Sequence, residues 1–294
     1  MLTQFQSRPE PTWLSVIRLL RWDKPEGRLI LMVPALWAVF LAARGTPPLP
    51  LVAVIILGSL TTSAAGCVVN DLWDRNIDPQ VTRTQNRPLA ARALSVKTGL
   101  VVAGIAFVCA WLLSLYLNPL SFGLCVAAVP VIVLYPLAKR VFPIPQLVLS
   151  IAWGFAVLIS WSAVTDRLEG ATWLLWGATV LWTLGFDTVY AMPDRESDRK
   201  IGVRSSALFF GDRSASAVGI FFAGTTFFLA QLGLERQLHS YFWLALIVAV
   251  LVWTQHYSQL RRQRKNPHSK IYSRIFRQNV WLGFILLFGM ILGQ

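Results

Sequence analysis

NDLWDRNIDPQVTRTQNRP, residues 70–88, directly follows one run of apolar residues, and DTVYAMPDRESDRKIG, residues 187–202, follows another. The two stretches contain six aspartates, in a sequence that is 55% hydrophobic and has only 14 Asp and Glu residues. Clustered carboxylates repel one another, and a bound divalent cation removes that repulsion. Hard oxygen ligands suit Mg²⁺, which proteins usually hold together with substrate phosphates. The two stretches therefore predict a magnesium diphosphate site at the ends of two apolar helices.

The composition is that of a membrane protein with many spans. Charged residues make up 14% of the chain, whereas a soluble domain carries about 25%, and the mean hydropathy is +0.55. Apolar runs recur along the whole length and predict an all-α fold with nine transmembrane helices, in a single domain over residues 1–294. The predicted spans are 29–43, 50–70, 96–115, 119–136, 147–165, 172–190, 215–233, 240–260 and 278–293.

The basic residues predict the orientation of these spans. Nine crossings place 24 of the 27 Lys and Arg residues on one side of the membrane and leave Arg44, Arg167 and Arg236 on the other. The positive-inside rule makes the basic side cytoplasmic, and both aspartate-rich stretches lie on it. The net charge of +13 is then explained by topology and by attraction to anionic lipid, so a nucleic-acid partner is not expected. The basic segment 261–277 is interpreted in the same way.

Helical spacing places each set of aspartates on one face. Steps of three and four residues bring the three aspartates of the first stretch together, and steps of seven and four do the same for the second. Ordinary solvated helix ends would be the alternative, but acids at a membrane boundary are usually functional. A helical bundle could bring the two sets face to face across a central cavity. We predict Asp71, Asp74, Asp78, Asp194 and Asp198 as metal ligands, with Asp187 and Tyr190 lining the same cavity.

A diphosphate also needs positively charged partners. Arg83 lies just beyond the first aspartate cluster, and Lys139 follows Tyr135 by one helical turn. Arginine can grip a phosphate with two hydrogen bonds, and lysine offers a point charge. We predict that Arg83 and Lys139 bind the diphosphate, and that Arg87 is a weaker candidate.

At these residues the chain resembles the UbiA superfamily of intramembrane prenyltransferases, and within it the 4-hydroxybenzoate polyprenyltransferases. The family's NDxxDxxxD signature is matched at Asn70–Asp78 and continues into RTxxRPL at Arg83–Leu89. Its DxxYAxxDxxxD signature is matched at Asp187–Asp198, and YPxxKR at Tyr135–Arg140. An RxDKPxG motif stands at Arg21–Gly27. The resemblance covers nearly the whole chain.

The resemblance implies nine helices around a lipid-accessible cavity and Mg²⁺ held through both aspartate-rich motifs. It also implies transfer of a polyprenyl chain from polyprenyl diphosphate to the ring carbon ortho to the hydroxyl of 4-hydroxybenzoate, in ubiquinone or plastoquinone biosynthesis. Within that reaction Asp71 and Asp194 act through the metal, and Asp187 orients or deprotonates the phenol. Asn70, Arg83, Tyr135 and Lys139 bind the diphosphate. Arg28, with Arg21 as a second choice, binds the acceptor carboxylate, and Tyr190 lies beside the acceptor.

Several alternatives stay open at this point. Related enzymes of the superfamily act on homogentisate, dihydroxynaphthoate, chlorophyllide or haem. A secondary transporter also combines two helical halves with buried acids, but its acids lie near the membrane midplane, whereas these lie at helix ends. A CDP-alcohol phosphotransferase would need a different glycine and arginine spacing. The length of the prenyl chain, the choice between the two quinone pathways and the oligomeric state are not determined by the sequence.

Overall fold

The computed structural model describes residues 11–24, 26–262 and 270–294. These residues form α-helices joined by turns, with no β-strand among them, so the predicted all-α class is confirmed. Part of the basic segment 261–277 lies outside the described residues. The helices are α1 (Thr12–Leu19), α2 (Glu26–Ala42), α3 (Leu49–Asp74), α4 (Val96–Ser114), α5 (Pro119–Val141), α6 (Pro145–Thr165), α7 (Gly170–Ala191), α8 (Arg195–Ile201), α9 (Ser206–Phe210), α10 (Ser214–Glu235), α11 (Ser240–Arg262) and α12 (Ile271–Leu292).

Seven stretches of helix in the described chain are long and apolar enough to cross a membrane. They are α3 to α6, the combined segment Ser206–Glu235, α11 and α12. The two other predicted spans coincide with α2, which has 17 residues, and with α7. The hydropathy of α7 is lowered by its buried threonines and glycines. Such small residues suit a helix that is enclosed by other helices and does not face lipid. The crossing of the membrane by α2 and α7 stays a prediction.

The long helices pack in a closed order. Helix α3 packs on α4, α5 packs on α6, and α6 packs on α7. Helix α7 packs on α10, α10 on α11, and α11 on α12. Helix α12 returns to α2, and α2 also contacts α3 and α6, so α2 and α7 stand inside the bundle. Helices α4 and α5 contact each other little. The wall of the bundle is therefore thinnest between α4 and α5.

Aromatic side chains fill the main core between α2, α7 and α12. Trp37 and Trp182 have ring centroids 5.0 Å apart, and both side chains are fully buried. The amide oxygen of buried Asn279 accepts hydrogen bonds from the indole nitrogens of Trp182, at 2.9 Å, and Trp253, at 3.0 Å. Buried indole N–H groups need such partners. This core holds α7 in place, and the second aspartate-rich stretch begins near the end of α7.

Two prolines interrupt the helices on which the aspartates were predicted to lie. Helix α3 ends at Asp74, and Asp78 begins a 3₁₀ turn that contains Pro79. Helix α7 ends at Ala191, before the turn Met192–Asp194 with its proline. Proline lacks the N–H that continues a helix, and its ring clashes with the carbonyl four residues earlier. The prediction that each set of aspartates shares one continuous helical face is therefore wrong.

Candidate active site

The predicted site residues lie together at one end of the bundle, where α3, α5 and α7 all end. Asn70, Asp71 and Asp74 occupy the last two turns of α3. Lys139 is in the last turn of α5, and Asp187 is in the last two turns of α7. The connection from 75 to 95 runs across this end and carries Asp78, Arg83 and Arg87.

The first aspartate cluster is neutralised by two arginines. The side chain of Asp71 is 0% exposed, and its Oδ1 lies 2.7 Å from Nη2 of Arg21 and 3.2 Å from Nη1 of Arg87. The same Arg87 nitrogen donates to Oδ2 of Asp78 at 2.9 Å. A carboxylate buried without such partners would be very costly. Arg21 and Arg87 therefore compensate the charge of Asp71.

Lys139, from the last turn of α5, also contacts the end of α3. Its Nζ donates to Oδ2 of Asp74 at 2.7 Å and to Oδ1 of Asn70 at 3.1 Å. The hydroxyl of Tyr135 donates to the same amide oxygen at 3.2 Å. The backbone N–H of Arg204 donates to the carbonyl of Lys139 at 2.8 Å and ties the end of α5 to the chain that follows α8. The predicted diphosphate residues on α3 and α5 thus form one hydrogen-bonded group.

Arg83, on the connection that follows the first aspartate cluster, pairs with the second cluster. Its Nε and Nη2 donate to Oδ2 of Asp194 at 2.8 and 2.5 Å, and its Nη1 donates to the hydroxyl of Tyr190 at 2.5 Å. Its guanidinium carbon lies 4.4 Å from the centre of the Tyr190 ring. These contacts raise the pKa of Arg83 even though burial alone would lower it. Asp187, in the last two turns of α7, is close enough to Arg83 and Lys139 to feel the charge of both.

Asp198 adds a second carboxylate beside Asp194. Burial and the negative charge of Asp194 together raise the pKa of Asp198 to about 6, against a hydrogen bond with Ser205 that lowers it. Two neighbouring carboxylates repel each other when both are ionised, and a cation between them removes that repulsion. This pair therefore has the electrostatics of a cation-binding site.

The predicted ligands fit Mg²⁺ by donor chemistry, since all of them are carboxylates. Oδ2 of Asp71 is buried and has no hydrogen-bond partner within the described chain, so it has a lone pair free for a metal. Nowhere in the described ranges do three acidic, histidine or cysteine side chains already form a group able to hold an ion. The carboxylates instead face Arg21, Arg83, Arg87 and Lys139. Metal binding would therefore require these cations to move away from the aspartates.

An apolar cavity adjoins the site. It has a volume of about 310 Å³ and is bounded by residues of α2, α3, α4, α5 and α6. Cys67 and Tyr135 line it, each four residues before a charged residue of the site, namely Asp71 and Lys139. Residues of α4 and α5 line its other side, where these helices contact each other little. The cavity is therefore placed to hold an apolar chain attached to a group bound at the aspartates.

The two residues predicted to bind the acceptor belong to different parts of the site. Tyr190 is 40% exposed, pairs with Arg83 and packs on Phe276 at a centroid distance of 5.1 Å. Arg28 is buried in the first turn of α2, and its Nε donates to the carbonyl of Arg21 at 3.0 Å. Arg21, the second choice for the acceptor, binds Asp71 instead.

Sequence reasoning missed some residues that hold the site together. The side-chain oxygen of buried Gln146 accepts a hydrogen bond at 2.7 Å from the backbone N–H of Ser206, which fixes the chain after α8. Arg18 donates to the carbonyl of Asn86 at 3.0 Å and holds the connection that carries Arg83 and Arg87. Spacing along the chain cannot reveal such contacts, because the partners are 60 or more residues apart.

Comparisons with known proteins agree with this architecture. The profile of the UbiA prenyltransferase family matches residues 31–287. The 4-hydroxybenzoate solanesyltransferase of Synechocystis sp. is 66% identical over 293 residues, which is 100% of this chain and 99% of that protein. The apo structure of a UbiA homolog from Aeropyrum pernix K1 has a TM-score of 0.78 at 23% identity and covers 90% of this chain and 97% of its own. A UbiA homolog from Archaeoglobus fulgidus bound to GPP and Mg²⁺ has a TM-score of 0.70 at 18% identity, over 92% of this chain and 99% of its own.

The similarity to the two solved structures concerns the fold. The alignment with the Synechocystis protein covers the whole chain and therefore every residue of the site. Together with the seven apolar helices, these findings identify an integral membrane protein. The chain belongs to the UbiA prenyltransferase family.

Proposed function

We propose that this chain transfers a polyprenyl group from polyprenyl diphosphate to 4-hydroxybenzoate, at the ring carbon ortho to the hydroxyl, in quinone biosynthesis. The 66% identity over the whole chain to a relative named for this reaction carries the proposal. The site supports it, because a group of carboxylates and cations suited to a metal diphosphate adjoins an apolar cavity. A lipid substrate with a charged head needs both features.

The diphosphate is bound by the cations that now pair with the aspartates. Lys139 and Arg83 exchange their carboxylate partners for phosphate oxygens, and Asn70 and Tyr135 supply further hydrogen-bonding groups. Asp71, Asp74 and Asp194, joined by Asp78 and Asp198, are then free to hold Mg²⁺. Mg²⁺ held by these carboxylates would neutralise charge on the diphosphate and so favour its departure. The exchange accounts for the absence of a preassembled metal group in the described chain.

The reaction replaces a carbon–oxygen bond with a carbon–carbon bond. The bond between C1 of the prenyl chain and the diphosphate breaks, and both electrons leave with the diphosphate. The ring carbon ortho to the phenol attacks the allylic cation, and loss of the ring proton restores aromaticity. Lys139 and Arg83 stabilise the charge that develops on the leaving group. Asp187, in the last two turns of α7, orients the phenol or accepts a proton.

The cavity holds the first part of the isoprenoid. Its volume of about 310 Å³ lies at the small end of ordinary ligand pockets, which begin at roughly 300 Å³. A long polyprenyl chain therefore extends beyond it, between α4 and α5, into lipid. The aspartate-rich end faces the cytoplasm, as the distribution of Lys and Arg predicts.

Competition between acceptors tests this function. Purified protein would receive one polyprenyl diphosphate, Mg²⁺ and equal amounts of 4-hydroxybenzoate, homogentisate and 1,4-dihydroxy-2-naphthoate, and mass spectrometry would identify the prenylated acid. We expect prenylated 4-hydroxybenzoate to be the main product. A main product from either of the other acceptors would contradict the proposal and keep the chain within the same family.

A further inference from the structure

The short segment Val203–Ser206, between α8 and α9, joins parts of the site that come from different helices. The backbone N–H of Val203 donates to the carbonyl of Asp198, on α8, at 3.0 Å. The next backbone N–H, of Arg204, donates to the carbonyl of Lys139, in the last turn of α5, at 2.8 Å. The segment therefore ties the helix that carries a predicted metal ligand to the helix that carries a predicted diphosphate cation.

Ser206 fastens the same segment to α6 and α7. Its backbone N–H donates to the side-chain oxygen of Gln146, in the first turn of α6, at 2.7 Å. Its hydroxyl lies 2.8 Å from the hydroxyl of Thr188, in the last turn of α7. Ser206 and Thr188 are both 0% exposed, so water cannot compete for these bonds. The segment is thus held against the ends of α5, α6 and α7 at the same time.

Ser205 is the residue of this segment that reaches a carboxylate of the site. It is the N-cap of α9, and its hydroxyl oxygen accepts a hydrogen bond from the backbone N–H of Leu208 at 3.3 Å. The same hydroxyl bonds the side chain of Asp198. A hydroxyl can accept and donate at once, and an ionised carboxylate can only accept. Ser205 therefore donates to Asp198, and both residues are buried.

We propose that Ser205 is a positioning residue of the metal site, which holds the carboxylate of Asp198 beside Asp194 in the orientation that a divalent cation needs. This inference rests on the proposed function, in which Asp198 is a metal ligand, and adds a residue that acts through that ligand. Carboxylates that bind metals are commonly oriented by hydrogen bonds, and loss of such a bond typically lowers metal affinity about 10- to 100-fold. Because Arg204 bonds the carbonyl of Lys139, the same segment also fixes the metal ligand relative to the diphosphate cation.

The competing interpretation makes Ser205 a helix cap and nothing more. Replacing a serine at an N-cap by alanine destabilises the helix, and α9 has five residues. Loss of the cap alone would lower the unfolding temperature and leave the affinity for a divalent cation unchanged. Loss of the bond to Asp198 would change that affinity.

Thermal unfolding in detergent, titrated with Mg²⁺ in the presence of inorganic diphosphate, separates the two roles without turnover. A ligand that binds the folded state raises the unfolding temperature. We expect Ser205→Ala and Ser205→Gly to need about tenfold more Mg²⁺ than the wild type for half of the maximal rise. Glycine is nearly as good as serine at an N-cap, so Ser205→Gly tests the hydroxyl with the cap effect reduced. Ser205→Thr should recover most of the response, because threonine keeps the hydroxyl and suits the extended backbone of this residue.

The matched control is Ser95→Ala. Ser95 is the exposed N-cap of α4, and its side chain accepts from the backbone N–H of Thr98 at 3.0 Å. This variant loses a cap of the same kind and should keep the wild-type response to Mg²⁺. A second control combines Ser205→Ala with Asp198→Asn. If Ser205 acts through Asp198, the double variant should need the same Mg²⁺ concentration as Asp198→Asn alone.

The outcomes distinguish this inference from the proposed function. An unchanged Mg²⁺ midpoint in Ser205→Ala and Ser205→Gly overturns the inference alone. An equal shift in Ser95→Ala, or a further loss when Ser205→Ala is added to Asp198→Asn, also overturns it and favours the structural role. A wild type that does not respond to Mg²⁺ with diphosphate overturns the metal site and this inference with it. A wild type that responds to Mg²⁺ but prenylates no aromatic acid overturns the proposed function alone, since the Ser205 variants are compared by binding.

Discussion

Asp71→Asn is expected to lower the rate of prenyl transfer by about a thousandfold, because it removes both a metal ligand and the local charge that draws the metal to the site. Asp71 is the aspartate with a fully buried side chain and an oxygen that lacks a partner within the described chain. Asparagine keeps the shape and can still accept a hydrogen bond from Arg21. The effect should therefore appear in kcat and in the Mg²⁺ concentration needed for activity, with little change in the fold.

Asp166→Asn is the matched control for this substitution. Asp166 is exposed, follows α6, and has a left-handed backbone with φ of 53°, which asparagine tolerates as well as aspartate does. The control should retain wild-type activity, and thermal unfolding in detergent should show both variants folded. Near-normal turnover in folded Asp71→Asn would remove Asp71 from the metal site.

Lys139→Met is expected to lower kcat by about a hundredfold, the usual cost of losing one group that stabilises developing charge. Lys139 is within hydrogen-bonding distance of both Asp74 and Asn70, at the end of α3 where the diphosphate is proposed to bind. Its removal takes a positive charge from the leaving group and leaves Asp74 without its ion pair. Lys139→Arg should recover part of the activity, because arginine restores the charge with a different shape.

The control for this second substitution is Lys97→Met. Lys97 is an exposed lysine near the start of α4, on the side predicted to be cytoplasmic. Its replacement should leave single-turnover rates unchanged, whereas Lys139→Met should slow the chemical step. Equal rates for the two methionine variants would mean that Lys139 marks membrane orientation and has no part in the reaction.

The positions of the long helices could be predicted from hydropathy, because each long helix coincides with a run of apolar residues, whether it faces lipid or packs inside the bundle. The ends of α3 and α7 could not be predicted from helical spacing. Asp78 follows Asp74, and Asp194 follows Asp187, at helical intervals. In each case a proline nearby, Pro79 or the proline of the turn Met192–Asp194, prevents the regular helix from continuing. The prolines were visible in the sequence and carried more information than the spacing did.

The residue types of the site could also be predicted, but not the pairs they form. Charge clustering identifies Arg83 and Asp194 as members of one site, yet they are 111 residues apart and meet only through the bundle. The pairing of Arg21 with Asp71 spans 50 residues in the same way. Arg28 shows the same limit, because the burial of its two terminal nitrogens is evident only once α2 is placed in the bundle. Such facts depend on tertiary packing, which local sequence does not encode.

Prenyl transfer by the purified protein, with and without a divalent cation, tests the central claim most directly. The protein would be incubated with 4-hydroxybenzoate and with geranyl or longer polyprenyl diphosphates, in Mg²⁺ or in EDTA, and the products read by mass spectrometry. We expect a 3-polyprenyl-4-hydroxybenzoate that forms in Mg²⁺ and disappears in EDTA. A product that persists in EDTA, or a folded preparation that gives no product with any chain length, would contradict a metal diphosphate site at the paired aspartates.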